Sequence, residues 1–239
     1  MNKFDEYAHR YDMNKPEINY KYHHSYRVMD NMIVLAKNMN LSYCEIKIAK
    51  VIGLLHDIGR FEQFKRYQSF KDNYLDHADY GVEVIKKEKI LDAFDIPKED
   101  YEVVYKAIKN HNKYAIEPGL NRKELLFAKL IRDADKLDIL YALSNPELKN
   151  IIREDDSTIS KKVNDEFFAN KQVVRDYQET FNENIVVIFS FAYDFNFNLS
   201  LDMLNYENYY DKIYARLDKK DMFKKYIDHV KEYIRERTE

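Results

Sequence analysis

The sequence has only four glycines and four prolines among its 239 residues, a single cysteine and no tryptophan. Glycine and proline together average roughly 12 % of a chain. Here the tight turns of a sandwich or barrel lack the residues that build them, so an all-β fold is excluded. Gly53, Gly59, Gly81 and Gly119 fit neither G-x-G-x-x-G nor a P-loop, which removes the usual backbone cradles for dinucleotides and nucleoside triphosphates. Cys44 has no partner for an internal disulfide, and no cationic-then-apolar leader is present, so the expected compartment is a reducing cytoplasm.

An excess of one charge is also missing. Thirty-nine basic residues face 42 acidic ones, a net charge of −3, and both signs are interspersed along the chain. Neither a nucleic-acid footprint nor a membrane-surface patch is visible, and no partner of either kind is expected. The most apolar run, Ile185 to Tyr193, is far shorter than the ~20 residues needed to span a bilayer and reads as a buried helix.

What the sequence does have is helical periodicity nearly throughout. Val28, Met32, Leu35 and Met39 form one stripe. Ser42 and Glu45 have the spacing of a capping box, and the apolar series from Ile46 to Leu55 follows at once. Gly59 is placed to end that helix in a left-handed conformation. Arg60 to Asn73 reads as loop or irregular helix. Pro97 precedes a helix through Tyr101, Val104, Tyr105 and Ile108, and Asn121 with Glu124 caps another that runs toward Pro146. Further helices are expected at Val174 to Phe195 and Lys219 to Arg237. The fold class is all-α, and with no repeat or Ser/Gly/Pro linker, residues 1–239 are expected to form a single domain.

Several of these stripes carry a polar residue where an apolar one belongs. His24 lies four and eight residues before Val28 and Met32, and His56 and Asp57 close the most apolar helix. His77 precedes Gly81 and Ile85 by four and eight, and His111 follows Ile108, Ala107 and Val104 by three, four and seven. Asp135 falls between Ile131 and Ile139, although Asp138 one turn on fits the same helix and the spacing does not separate them. Burying such groups unpaired costs about 1 to 3 kcal/mol for an imidazole and more for a carboxylate. A shared metal ion would satisfy them together. Imidazoles with carboxylates suit Mn, Fe, Co, Ni or Zn, as one ion or two, and the two oxygens of Asp57 suit it to bridging.

His24 followed by Ser25 and Arg27, then His56-Asp57-Ile58-Gly59, then Asp135 within Asp133-Ala134-Asp135-Lys136-Leu137-Asp138, resembles the HD-domain metal-dependent phosphohydrolase superfamily. The resemblance covers roughly residues 20–145, with 146–239 as a C-terminal helical extension. It implies an HD-type helical bundle in which His24, His56, Asp57 and Asp135 bind one metal. In members with two metals, histidines between the pair and the last Asp hold the second, and His77 and His111 are the histidines in that interval. Arg60 stands where many members have Lys, and no Gly-Tyr-Pro signature of the cyclic-di-GMP-cleaving branch is present.

The expected activity is hydrolysis of a phosphate ester in a small phosphorylated molecule such as a nucleotide, by a phosphomonoesterase or phosphodiesterase. Asp57 would be a catalytic residue as well as a ligand, Arg60 would stabilise charge on the phosphate, and Arg60 and Lys136 would contact the substrate. An HD-fold di-iron oxygenase and a non-catalytic metal-stapled sensor are the alternative readings. His9, His23 and His229 are expected to be peripheral, and the C-terminal helices to cover the pocket or form a homodimer face.

Overall fold

The computed structural model describes residues 2–148 and 152–239, and these form helices, turns and loops without a strand among them. The helices are α1 (Lys3–Ala8), α2 (Pro16–Asn38), α3 (Tyr43–Leu55), α4 (Gly59–Tyr67), α5 (His77–Lys87), α6 (Tyr101–Asn110), α7 (Arg122–Ser144), α8 (Lys161–Phe168), α9 (Phe181–Phe189), α10 (Asn198–Tyr206), α11 (Tyr209–Ala215) and α12 (Lys220–Thr238). Among the described residues no helix is long and apolar enough to cross a membrane. The fold is all-α, as the periodicity predicts.

The chain divides into two compact units, Met1–Asp135 and Lys136–Glu239, with the division inside α7. The expected single domain is thus two units by packing, and the division falls ten residues before the end of the 20–145 core.

In the first unit α2 starts on Pro16, whose fixed φ suits the first helical turn. It buries Ile18, His24, Val28, Met32 and Leu35 along one face. That face packs on α3, whose Ser42–Glu45 capping box forms in both directions. Gly53 lets the two helices meet closely, since a Cβ there would lie 2.6 Å from Met29 Cα. α4 packs on α5, α5 on α6, and α6 on α3. α7 opens with the reciprocal Asn121–Glu124 bonds at 2.9 and 3.0 Å, and is tied to α2 by Asn31 Nδ2 donating to Ala134 O at 3.1 Å.

In the second unit α9 is buried on nearly all sides and packs against α8 and α12. The expected continuous helix Val174 to Phe195 is interrupted. Arg175–Tyr177 is a single 3₁₀ turn, Thr180 caps α9 by accepting from Glu183 N at 3.1 Å, and Ser190–Asp194 tightens to 3₁₀. Two buried tyrosines find acceptors: Tyr210 donates to Phe189 O at 2.9 Å and Tyr226 to Asn164 Oδ1 at 2.7 Å.

Candidate metal centre

The polar residues singled out in the sequence converge inside the first unit, and four of them, His56, Asp57, His77 and His111, stand where helices begin or end. His24 is on the buried face of α2, stacked 6.0 Å from Tyr20. α3 stops at Leu55, and His56, Asp57 and Ile58 form one turn, with Ile58 N donating to Leu55 O at 3.1 Å and Arg60 N to Asp57 O at 2.9 Å. His77 opens α5 behind its N-cap Asp76, and His111 is the C-cap of α6. Adjacent residues on a helix point ~100° apart, so the neighbours His56 and Asp57 can converge only where the helix ends.

Gly59 does not take the left-handed conformation expected of it; among the described glycines only Gly119 has positive φ. Gly59 is instead the first residue of α4. A Cβ there would stand 2.1 Å from His77 O and 3.0 Å from Gly81 N. The missing side chain lets the starts of α4 and α5 nest, which sets His77 against Asp57.

Asp57 sits at the middle of the cluster, and its two oxygens face different residues. Oδ2 lies 3.3 Å from His24 Nε2 and 3.6 Å from His56 Nε2. Oδ1 lies 3.1 Å from His77 Nε2 and 3.6 Å from His111 Nε2. Asp135 Oδ1 joins the first group, 3.2 Å from His24 Nε2 and 3.7 Å from His56 Nε2. Of the two carboxylates that the spacing leaves open, the helix therefore presents Asp135 to the histidines. Ligands about 2.0–2.2 Å from a common divalent ion stand about 3–3.6 Å from one another in tetrahedral or octahedral arrays. The donor atoms have that spacing, and His24, His56 and Asp135, and likewise His56, Asp57 and His111, form groups able to hold an ion.

Proton positions give an independent test of that fit. His56 Nδ1 meets Gly53 O at 2.8 Å, His111 Nδ1 meets Ile108 O at 2.6 Å, and His77 Nδ1 meets Asp72 Oδ1 at 2.6 Å. Carbonyl and carboxylate oxygens only accept, so each Nδ1 carries the proton and each Nε2 is left with a lone pair. His77 Nε2 and His111 Nε2 are 3.0 Å apart, and His56 Nε2 is 3.2 Å from His24 Nε2. Two bare acceptors facing each other, as those of His77 and His111 do, repel, whereas a cation between them satisfies both. Burial, with the neighbouring His77 and His56, pushes the His111 imidazole down to about 4, outweighing Asp57, so near neutral pH it is uncharged, as a metal ligand has to be.

Burial would raise the carboxyls of Asp57 and Asp135. The Lys21 ammonium overcomes it for Asp57, as the His24 ring beside it does for Asp135, and both are held well below the usual carboxylate range. The centre is therefore anionic at neutral pH.

Of the groups that hold this cluster, sequence reasoning named only Arg60, and as a substrate contact. Arg60 Nη1 donates to Asp72 Oδ1 at 2.9 Å, Gln63 Oε1 at 2.8 Å and Phe70 O at 2.6 Å, while its Nε lies 3.5 Å from Asp57 Oδ1. Gln63, fully buried, donates to Asp72 Oδ1 and Leu75 O at 3.1 and 2.7 Å. Burial opposes ionisation of Asp72, but the His77 hydrogen bond and the Arg60 charge hold its carboxyl far below normal. Lys21 Nζ lies 2.6 Å from Asp57 Oδ2. Arg132 donates to Asn110 O at 3.1 Å, to Lys113 O and to Tyr114 O at 3.2 Å, fixing the chain beyond His111. A signal existed for Lys21, one turn before His24; Asp72 lies in the stretch read as loop.

Lys136 belongs to the second unit, buried and ion-paired with Asp194 at 2.5 Å. His9 bonds Asp5 O, His229 bonds Asn170, and His23 is exposed against the Tyr22 ring; none is among the metal-competent groups.

No curated protein and no solved structure matches the chain. The HD domain family does match, over residues 22–140, a span that runs from just before His24 to just beyond Asp135 and encloses every residue of the cluster. The chain belongs to the HD-domain superfamily, whose members are generally metal-dependent hydrolases that bind divalent metals.

Proposed function

We propose that this protein is a binuclear phosphohydrolase acting on a phosphate ester of a small molecule, of which nucleotides are the leading class. The observation that carries the reading is the division of Asp57, with one oxygen toward His24 and His56 and the other toward His77 and His111. His24, His56, Asp57 and Asp135 would hold one ion of the Mn, Fe, Co, Ni or Zn group, and His77, His111 and Asp57 a second. When bound, such ions lower the pKa of water from ~15.7 toward ~7 and polarise a phosphoryl oxygen.

The protein's own contribution is orientation and charge. Asp57 has both oxygens committed and is the group best placed to orient a nucleophilic water. Asp72 fixes the His77 tautomer, and Gln63 and Arg60 fix Asp72. In this reading Arg60 is a positioning residue beside Asp57 and Asp72, its Nη1 already shared among three acceptors.

The test is turnover of nucleotides, cyclic nucleotides and simple phosphomonoesters by protein reconstituted with each metal in turn. The proposal expects phosphate release from at least one class, lost on chelation and in Asp57→Ala. Oxygen uptake by the iron form with no phosphate release would support the oxygenase reading instead.

A further inference from the structure

Lys21 lies one turn before His24 on α2, with its side chain only 15 % exposed and its ammonium 5.6 Å from the centre of the Phe70 ring. Its Nζ is 2.6 Å from Asp57 Oδ2, the oxygen that also faces His24 and His56. The ammonium therefore uses lone pairs that the first metal site requires. The other cation beside this carboxylate, Arg60, is held by Gln63, Phe70 O and Asp72. Lys21 ends on a single contact at the centre, on a flexible four-carbon stem.

We propose that Lys21 anchors the anionic group of the substrate: the Asp57 oxygen it contacts is one that a metal would need, and with a metal on that oxygen the ammonium turns to the phosphoryl group. This rests on the metal-dependent hydrolase reading and adds a substrate contact to it. Asp57, Asp135 and Asp72 supply three negative charges against the two positive charges of Lys21 and Arg60. Divalent cations make the pocket net positive, and each repels the ammonium about twice as strongly as a unit charge at the same separation. Lys21 then has reason to leave Oδ2, and a phosphate dianion offsets the excess. A lysine suits phosphate as a compact point charge.

The experiment is calorimetric titration of inorganic phosphate into Mn-loaded wild type, Lys21→Met and Lys21→Arg, with Mn affinity measured on each. The loaded proteins are compared because Asp57 no longer depends on Lys21 there. A lost hydrogen bond to a charged group corresponds to about 10- to 100-fold weaker phosphate binding in Lys21→Met, with Lys21→Arg in between. Mn affinity in Lys21→Met should equal or exceed that of wild type, because no ammonium has to be displaced. Phosphate affinity within twofold of wild type, or a parallel loss of Mn affinity, would overturn the assignment. If wild type hydrolyses no ester yet Lys21→Met still loses phosphate, the hydrolase reading fails and the anion site stands. If wild type turns over and Lys21→Met binds phosphate normally, the anchor fails and the reading stands.

Discussion

Asp72 Oδ1 accepts the Nδ1 proton of His77 at 2.6 Å, and Arg60 and Gln63 hold the same oxygen at 2.9 and 3.1 Å. The carboxylate thereby decides which nitrogen of His77 is left to bind metal. Removing such a partner typically lowers metal affinity 10- to 100-fold. Asp72→Ala is expected to weaken one metal-binding event by about that factor and to leave the other near wild type. Two-site calorimetry checks it, and equal losses at both sites would show that Asp72 supports the whole centre.

Gly59 sits where α4 and α5 touch, and the atom that a Cβ would strike is backbone, His77 O at 2.1 Å. Backbone cannot step aside as a side chain does. Gly59→Ala is expected to cost about 2–4 kcal/mol or more in stability, above the usual range for overpacking. A urea midpoint within experimental error of wild type would contradict the packing described here.

Arg132 is buried and binds three carbonyls of the segment after α6. Arg132→Met keeps much of the apolar stem and leaves those acceptors unpaired. The bond to Asn110 O is the buried one, and leaving that acceptor without a donor costs about 1–3 kcal/mol, so thermal unfolding should shift down clearly. Because His111 stands directly beside Asn110, metal binding at the proposed His77–His111 site should weaken more than at the proposed His24–Asp135 site.

Lys136 and Asp194 form a pair whose side chains are 7 % and 21 % exposed. Breaking a buried pair by removing one partner costs about 3–5 kcal/mol, and somewhat less where water still reaches the carboxylate. Lys136→Met should therefore lower stability, and adding Asp194→Leu should recover part of the loss. If Lys136→Met instead leaves stability intact and raises KM for a phosphate ester, the lysine acts on substrate.

Much of this was legible in the sequence, for reasons that can be named. His24, Val28 and Met32 recur at four-residue spacing on one helix, and Ser42–Glu45 and Asn121–Glu124 are local caps, so residues close in sequence reveal them. Thr180–Glu183 has the same spacing and would have marked the start of α9 inside the stretch read as one long helix. Phe61 and Phe64, three apart, likewise favour helix at the start of the segment read as loop or irregular helix, and α4 forms there. What was not legible depends on distant partners. Asp72 matters because the chain returns it to Arg60, Gln63 and His77, and Gly59 because His77 O arrives beside it. A glycine at a helix end suggests a left-handed cap, and only the packing of α4 on α5 distinguishes close approach from conformational need.

The central claim is that Asp57 bridges two metal sites, and counting metals on the purified, reconstituted protein tests it most directly. The expected result is two ions per chain in wild type, one in His77→Ala, and loss of both high-affinity sites in Asp57→Ala. One ion per chain in wild type, unchanged in His77→Ala, would contradict it.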